Sequence, residues 1–467
     1  MPETFPPSDE SSPFRDSPPP PAPERKPAWW CWPLIVFSLI PLGWLLSLAP
    51  PVDNGGGEVE EVTALDQSDL ALLKMQGQIV IATAKLNPDA SIDALDDLAG
   101  MAADDRSIAA LALLESFIAP ESPRAGETLT RLSETVAPDL AAVTKEAVSD
   151  GVSAEGREDL RTHLGWFADL ARDPGLAPPP LDQEIRTRAF VVLGTMGLLV
   201  MAGSLGLVAG AVLLILYLRH VKIGRAVNAF DPARKPVGIM LECFALYLGI
   251  MTVGSLASVY WHSSLSLISY GAAVVIPLLW PTFRGVVWHD FSAAAGLHRG
   301  KGWWREIGAG VVGYPGVLAI ASIGIFLTLI LTLLGGQLEG TSDLAGGDAP
   351  VGPETHPIVG WIYGGSIWTR LACLFLASGF APLFEELFFR GALQRYFRGR
   401  FRFFPSALLT GVIFAALHPQ GFYAIPALAG IGIGFSLLRE WRDSLIAPMV
   451  AHAINNGVLV GVLWWVL

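Results

Sequence analysis

Long apolar runs dominate the second part of the chain, and one further run lies near its start. The early run, WWCWPLIVFSLIPLGWLLSLAP at 29–50, is long enough to cross a hydrocarbon layer of about 30 Å. A cleaved signal peptide is the alternative, but the long polar tail before it and Pro50-Pro51 after Ala49 favour an uncleaved anchor. Later apolar runs predict eight further spans, at about 189–218, 236–259, 263–283, 307–335, 371–389, 405–418, 424–438 and 445–467. The pattern predicts an all-α, polytopic transmembrane helix bundle of about nine spans.

Residues 51–187 show a different pattern, with no run long enough to span a membrane. Apolar residues recur every three or four positions at 65–86, 107–117 and 157–173, as in small helical bundles. Pro-rich and Asp-Pro breaks separate these segments, and PPP at 178–180 closes the region. We expect a folded helical domain inserted between the first two spans, and nothing in its pattern suggests chemistry.

Composition and charge support this division. Of the 467 residues, 52% are hydrophobic and 16% charged, which is typical of a membrane protein. By count, 51–187 hold 26 of the 43 acidic residues but only 10 of the 31 basic ones, so this domain carries about −16 and the remainder about +4 of the net charge of −12. Nucleic-acid binding is not indicated, because basic residues form no stripe. Cys31, Cys243 and Cys373 share no metal-ligand spacing, and we expect no disulfide.

The basic residues outside the acidic domain predict the topology. Nineteen of the 31 lie in the first tail and in alternate loops, so the positive-inside rule places those segments in the cytoplasm. The sequence therefore predicts a multi-pass protein of the plasma or inner membrane, with a cytoplasmic N-terminus and an acidic extracytoplasmic domain. The predicted parts are a disordered Pro-rich tail (1–28), an anchor (29–50), the acidic domain (51–187), a second span with its cytoplasmic loop (188–235) and the main bundle (236–467).

Candidate chemistry begins with APLFEELFFRG at 381–391, which places charged residues inside an apolar run. Charge at membrane depth is costly and is a functional-site hypothesis by default. Residues four apart share a helical face, so Glu386 is expected to pair with Arg390, leaving Glu385 as the reactive acid. The reverse assignment of the two acids and a purely structural ion pair at a helix end are the alternatives.

Two of the eight histidines, His418 and His452, are expected to lie well inside apolar spans, and they extend this constellation. Phe414 and His418 share one helical face, and Asn456 lies one turn beyond His452. A buried carboxylate can accept a proton from water, which His418 could hold, while N–H groups of His452 and Asn456 could stabilise a developing oxyanion. These residue types suit amide hydrolysis. Counting along the helices places His418 a couple of turns deeper than Glu385, and we expect helix tilt to close the gap.

Three motifs on successive spans, Glu-Glu-x-x-x-Arg, Phe-x-x-x-His and His-x-x-x-Asn, resemble those of the CPBP family. These are the CAAX-processing and bacteriocin-processing intramembrane endopeptidases, also called the Abi family. The resemblance covers about 236–467, including 291–310 before the core motifs. It implies an endopeptidase in which Glu385 and His418 activate water and His452 and Asn456 stabilise the oxyanion. It also implies that Glu386 belongs to the catalytic set, with Arg390 and Phe414 in support.

The sequence leaves the use of a metal open. Glu385, His418 and His452 could supply the two histidines and one carboxylate of a hydrolytic zinc centre. Against zinc, the chain has no HExxH motif, and Asn456 is a poor zinc ligand but a good hydrogen-bond donor. The expected cofactor is therefore none or zinc, with the metal-free mechanism favoured.

Other functions are compatible with parts of this pattern. Acids and histidines in spans also form proton relays, so a proton-coupled transporter is one alternative, although the earlier spans contain only Glu242. A catalytically silent immunity or binding protein, in which the acidic domain does the work, is another. For the protease, we expect a peptide or membrane-protein substrate within the lipid bilayer, and a partner for the acidic domain is conceivable from its position alone.

Overall fold

The structure is a computed structural model in which nearly all described residues belong to helices, and no strand occurs among them. The predicted tail up to residue 25, residues 40–63 of the anchor and linker, and the 340–357 segment lie outside the described residues. The described ranges are 26–39, 64–84, 87–102, 104–120, 122–132, 138–172, 180–222, 229–231, 234–261, 265–339, 358–418 and 420–467.

The first helices form the anchor and the predicted acidic domain. Helix α4 begins with a capping box, in which Asp104 accepts hydrogen bonds from the backbone N–H groups of Arg106 and Ser107. Its apolar residues are almost fully buried and form the centre of the domain's core. The helices are α1 (Cys31–Leu39), α2 (Ala64–Thr83), α3 (Pro88–Met101), α4 (Asp105–Ile118), α5 (Arg124–Leu129), α6 (Pro138–Ser149) and α7 (Ala154–Leu164).

The helical pattern predicted over 157–173 is divided in the structure, because the chain turns at Gly165. That glycine has a φ of 57°, a left-handed conformation that glycine adopts without steric cost. Helix α7 ends at Leu164, and a 3₁₀ helix follows over Gly165–Leu170.

The remaining helices form the bundle, and all eight predicted apolar runs after the acidic domain are helical. Six described helices are long and apolar enough to cross a membrane, whereas Ile268–Phe283 and Phe403–Ala416 are shorter apolar helices. The polytopic all-α class is confirmed, but these helix lengths do not fix the number of membrane spans. The helices are α8 (Pro180–Lys222), α9 (Gly238–Tyr260), α10 (Leu265–Phe283), α11 (Trp288–Ala295), α12 (Trp303–Glu339), α13 (Ile358–Gly364), α14 (Ile367–Arg398), α15 (Phe403–Ala416), α16 (Gly421–Arg442) and α17 (Ile446–Val466).

The acidic domain and the bundle share a continuous core. Helix α8 runs through the predicted boundary at 187, and Ile185 and Ala189 on it are buried among the apolar residues of the domain. At the same end of the bundle, the Tyr363 hydroxyl donates to the backbone oxygen of Leu164 at 3.3 Å. Lys74 of α2 donates to the backbone oxygen of Leu467. The domain is therefore packed directly on α8, α13 and α17.

Glu242, the isolated acid of the earlier spans, has a structural environment. Its carboxylate accepts hydrogen bonds from Trp280 Nε1 at 2.7 Å and from Arg284 Nε at 3.0 Å. It also accepts one from the backbone N–H of Ala28, just before α1, at 3.1 Å. These bonds tie the first helix to α9 and α10, as expected for a buried acid that is fully paired.

The opposite end of the bundle is held by arginines around one aromatic ring. The guanidinium groups of Arg395, Arg398 and Arg439 lie 5.1, 5.5 and 4.9 Å from the centre of the Phe230 ring. Arg398 pairs with Glu440 at 2.7 Å, and Arg439 pairs with Asp443 at 2.8 Å. Basic residues that the sequence places in loops thus also join α14 to α16.

Candidate active site

Helix α14, which carries both acids, is not a regular α-helix. It is π-helical over Leu376–Phe380 and again over Leu387–Leu393, with the α-helical segment Ala381–Glu386 between them. A π-helical turn changes the direction in which the following side chains project, and such turns occur frequently at functional sites. The two acids therefore lie on a short regular segment between two distortions, which the apolar pattern did not predict.

Glu386 is fully buried and is held by Arg390. The predicted pairing is confirmed, because Arg390 Nη1 donates to Glu386 Oε1 at 2.8 Å. Arg390 Nη2 also donates to the backbone oxygen of Gly432 on α16 at 3.0 Å. A Cβ atom at position 432 would lie 2.9 Å from Gly411 Cα and 3.2 Å from Arg390 Nη2, so the close approach requires glycine.

His452 lies between the two carboxylates. Its Nδ1 atom is 2.8 Å from Glu386 Oε1, and its Nε2 atom is 3.8 Å from Glu385 Oε2. The ring of Phe435 stacks on the imidazole at a centroid distance of 4.8 Å. The Nδ1 atom donates to the Glu386 carboxylate, and Nε2 faces Glu385. The hydrogen bond to Glu386 and the stacked Phe435 ring therefore fix the orientation of the imidazole.

Glu385 differs from its neighbour in exposure and in partners. Its side chain is 21% exposed, whereas that of Glu386 is 0% exposed. Among the described residues, Oε2 of each acid has no hydrogen-bond partner, but Glu386 accepts from Arg390 and His452 through Oε1 and no such bond holds Glu385. A buried carboxylate oxygen in that state is costly unless water or a ligand reaches it. The arrangement suits a carboxylate that handles a water molecule.

His418 lies beyond the end of its helix, which corrects the expectation that it sits inside a span. Helix α15 ends at Ala416, and His418 Nδ1 is 2.7 Å from the backbone oxygen of Phe414. The Phe414 ring lies 4.3 Å from the His418 ring and 5.9 Å from that of His452. That helix tilt closes the expected difference in depth between His418 and Glu385 stays a prediction.

Phe414 also packs against the buried arginine. The guanidinium of Arg390 lies 4.7 Å from the Phe414 ring centre and 5.2 Å from that of Phe435. Stacking on aromatic faces stabilises a guanidinium that is removed from water. Phe414 therefore contacts Arg390, His418 and His452, which agrees with a supporting position.

Asn456 belongs to a chain of hydrogen bonds that reaches α14. Its Nδ2 atom donates to the backbone oxygen of Ala377, in the first π-helical turn, at 2.9 Å. Its Oδ1 atom accepts from Asn455 Nδ2 at 3.2 Å, and Asn455 Oδ1 accepts from the Tyr314 hydroxyl of α12 at 3.3 Å. These bonds fix the direction of the Asn456 amide and leave one of its two N–H donors for a ligand.

Sequence reasoning missed Tyr314, Asn455, Phe435 and Gly432. Asn455 lies next to Asn456 and could have been included by adjacency. The other three lie on helices that carry no recognised motif, and an isolated tyrosine, phenylalanine or glycine in an apolar span gives no distinguishing signal. Their roles depend on contacts between helices.

The possible zinc ligands do not form a metal site in this arrangement. Among the residues that the structure describes, no group of three or more His, Cys, Asp or Glu side chains has the geometry to hold a metal ion. Glu385 approaches His452, but the third candidate, His418, directs Nδ1 at the backbone of its own helix. The zinc hypothesis stays a prediction, and no step below is derived through a metal.

Comparisons with known proteins cover the same part of the chain. Residues 367–458 match the family model described as Type II CAAX prenyl endopeptidase Rce1-like. The chain is also 33% identical over 93 residues to the membrane-embedded CAAX protease MroQ of Staphylococcus aureus (strain USA300). That alignment covers 19% of this chain and 37% of the relative, so the chain spans little more than a third of the relative's length. No solved structure matches the chain.

The matched segment lies in the helical bundle, and its family model supports a membrane protease related to CAAX processing. The family model and the relative also support the resemblance to the CPBP family that was drawn from the three motifs. The matched residues contain Glu385, Glu386, His418, His452 and Asn456.

Proposed function

We propose that this protein is an intramembrane endopeptidase that hydrolyses a peptide bond with a water molecule activated by Glu385. The observation that carries the proposal is the position of the His452 imidazole, between the paired carboxylate of Glu386 and the unpaired oxygen of Glu385. An acid without a hydrogen-bond partner next to an oriented histidine is the arrangement expected of a general base and its neighbour.

In the proposed reaction, Glu385 accepts a proton from water as the water oxygen attacks the carbonyl carbon of the scissile bond. The carbonyl π electrons move to the oxygen, which becomes the oxyanion of a tetrahedral intermediate. When the intermediate collapses, the C–N bond breaks, and the proton held by Glu385 passes to the leaving amine. His418, whose ring lies 4.3 Å from that of Phe414, holds the water in this scheme.

The hydrogen bonds limit what His452 can do. With its Nδ1 proton donated to Glu386, a neutral His452 has a lone pair at Nε2 and cannot donate from that atom. Donation to an oxyanion from Nε2 therefore requires the imidazolium, which the Glu386 carboxylate stabilises. The free N–H of Asn456 can donate whatever the protonation state of His452. Asn456 can therefore always donate to the oxyanion, whereas His452 can do so only as the imidazolium.

We favour the metal-free form of this mechanism, with zinc as the alternative that chelation tests. The proposed substrate is a peptide or a membrane protein, cleaved within the plasma or inner membrane. The proposed topology has a cytoplasmic N-terminus and places the helices of 64–172 outside the cytoplasm, where they contact or select substrates. The distribution of basic residues supports this orientation.

The test is a cleavage assay with a membrane-peptide library, using purified wild-type protein, Glu385→Gln and His418→Ala. We expect each substitution to reduce cleavage by about 10²-fold or more, because each removes a group that handles the proton. Glu127→Gln, on the exposed face of α5, serves as the matched control and should cleave normally. Full activity of either site variant, with all proteins equally folded by gel filtration and thermal melting, would exclude the proposed mechanism.

A further inference from the structure

A second cavity lies apart from the candidate active site, at the end of the bundle that carries the acidic domain. Its volume is about 900 Å³, and it lies between the first turns of α8 and the last turns of α17. Arg188 of α8, Arg370 of α14 and the adjacent Trp464 and Trp465 of α17 line it. None of the residues placed in the acid–histidine site is among the described residues that line this cavity.

Basic residues lie in and near the lining of the cavity. Lys74 of the acidic domain is buried nearby, and its pKa is lowered to about 8 by burial and then by the charges of Arg188 and Arg370. The Nε atom of Arg370 is buried without a hydrogen-bond partner among the described residues, and its Nη2 makes one long bond, 3.4 Å, to the backbone of Tyr363. Glu184, one turn before Arg188, is the acid in the lining. The lining of the cavity therefore contains two basic residues and one acidic residue.

Apolar residues also line the cavity, where it borders the exposed apolar part of α8. Val191, Val192 and Trp465 line it. From Gln183 to His220 the helix has a mean hydropathy of 2.5 in its most apolar window, and only 6% of that window is buried within the protein. The cavity thus lies where α8 passes from polar to lipid-facing residues, and tryptophan is enriched at that level of a membrane. Its occupant should have both an anionic and an apolar part.

We propose that this cavity binds the phosphate of a phospholipid headgroup, with Arg188 and Arg370 on the phosphate and Val191, Val192 and Trp465 along the glycerol and upper acyl chains. Guanidinium groups match phosphate oxygens with two parallel hydrogen bonds, and basic pockets between membrane helices are suited to lipid headgroups. The bound lipid would join α8 to α17, the helix that carries His452 and Asn456.

Native mass spectrometry of the full chain released from detergent tests this proposal. The probes are phosphatidylglycerol, diacylglycerol without a phosphate, and inorganic phosphate. The variants are Arg188→Gln/Arg370→Gln, the conservative pair Arg188→Lys/Arg370→Lys, and Arg219→Gln as control. Arg219 is an exposed arginine in the last turn of the same helix α8, about 45 Å from Arg188 along its axis.

The wild-type protein should retain phosphatidylglycerol about tenfold or more over diacylglycerol, and the double glutamine variant should lose that preference. The lysine pair should retain a reduced preference, and the Arg219 control should equal wild type.

Equal retention by the glutamine pair and wild type, or no preference for the phosphate-bearing lipid, would overturn the proposal. Inorganic phosphate that displaces the lipid and binds equally tightly would assign the cavity to a free anion instead. Melting temperatures of all variants verify that each is folded.

Discussion

His452 Nδ1 and Glu386 Oε1 are 2.8 Å apart, and the same carboxylate oxygen accepts from Arg390, also at 2.8 Å. One buried oxygen thus holds both the histidine of α17 and the arginine of its own helix. Because the Glu386 side chain is fully buried and holds both partners, we expect it to position His452 rather than to contact substrate.

Removal of the charge on Glu386 should affect folding as well as cleavage. Glu386→Gln leaves Arg390 as a buried charge without its anion, and breaking a buried pair typically costs about 3–5 kcal/mol. We expect a lower melting temperature than for Glu385→Gln, which alters an acid with no such partner. Thermal melting of the two purified variants measures the difference. The double variant Glu386→Gln/Arg390→Met should recover part of the stability, and equal melting of Glu386→Gln and Glu385→Gln would contradict this assignment.

The stacking of Arg390 on Phe414 and Phe435 predicts that a positive charge at position 390 is not sufficient for full stability and cleavage. Arg390→Lys keeps the positive charge but loses the planar contact with Phe414 and Phe435 and the bond to Gly432. We expect a loss of about 1–3 kcal/mol in stability and reduced cleavage. Arg299→Lys, in the loop between α11 and α12, is the matched control. Wild-type melting and activity of Arg390→Lys would show that only the charge is needed.

The Tyr314 hydroxyl is predicted to act through Asn455 on the amide of Asn456. Tyr314→Phe removes one hydrogen bond at the far end of the chain, so cleavage should fall by roughly 2- to 13-fold, the range that corresponds to a net bond of about 0.5–1.5 kcal/mol. The loss should appear in kcat with little change in KM, since no substrate contact is removed. Tyr423→Phe on α16 is the control. A change confined to KM would place Tyr314 in substrate binding instead.

Chelation should leave cleavage intact if the metal-free mechanism holds. We expect purified protein treated with a strong zinc chelator to retain its activity, while Glu385→Gln remains inactive without added metal. Metal content, measured on the same samples, should be far below one zinc per chain. Stoichiometric zinc that is lost together with activity would instead make Glu385, His418 and His452 ligands, and would require the helices to rearrange from the positions described above.

The buried lysine of the acidic domain predicts a pH dependence of stability. The folded-state pKa of Lys74, about 8, lies below the ordinary lysine value of 10.5, so the unfolded chain binds the proton more tightly. Between these values the unfolded state carries more protons, and stability should rise with pH by at most about 3 kcal/mol. Melting of wild type and Lys74→Met at pH 7.5 and pH 9.5 tests this. The rise attributable to Lys74 should be absent from the variant, and equal pH responses would contradict it.

The contact between the acidic domain and the bundle also changes how that domain should be probed. Deletion of 51–187 would remove Ile185, which is part of the shared core, and would cut helix α8. Loss of activity after deletion would therefore not distinguish a selecting role from loss of support. Point variants on the domain's exposed faces, with unchanged melting, are the more informative test of substrate selection.

The sequence by itself determined the features that depend on short separations along the chain. Apolar runs gave the helices of the bundle, and the spacing of four placed Arg390 beside Glu386 and Phe414 beside His418. These contacts follow from helical geometry, which is the same wherever the helix lies. The three motifs likewise indicated the resemblance that the family model over 367–458 supports.

Only the tertiary structure decided which acid is hydrogen-bonded to a histidine, Glu386, and which acid is not, Glu385. The two carboxylates meet His452 because α14 has π-helical turns and α17 packs beside it, and neither property follows from local sequence. Phe435, Gly432 and Tyr314 likewise gain their roles from contacts between helices. A contact between distant segments depends on the packing of the whole bundle, so its residues have no local pattern by which sequence reasoning could find them.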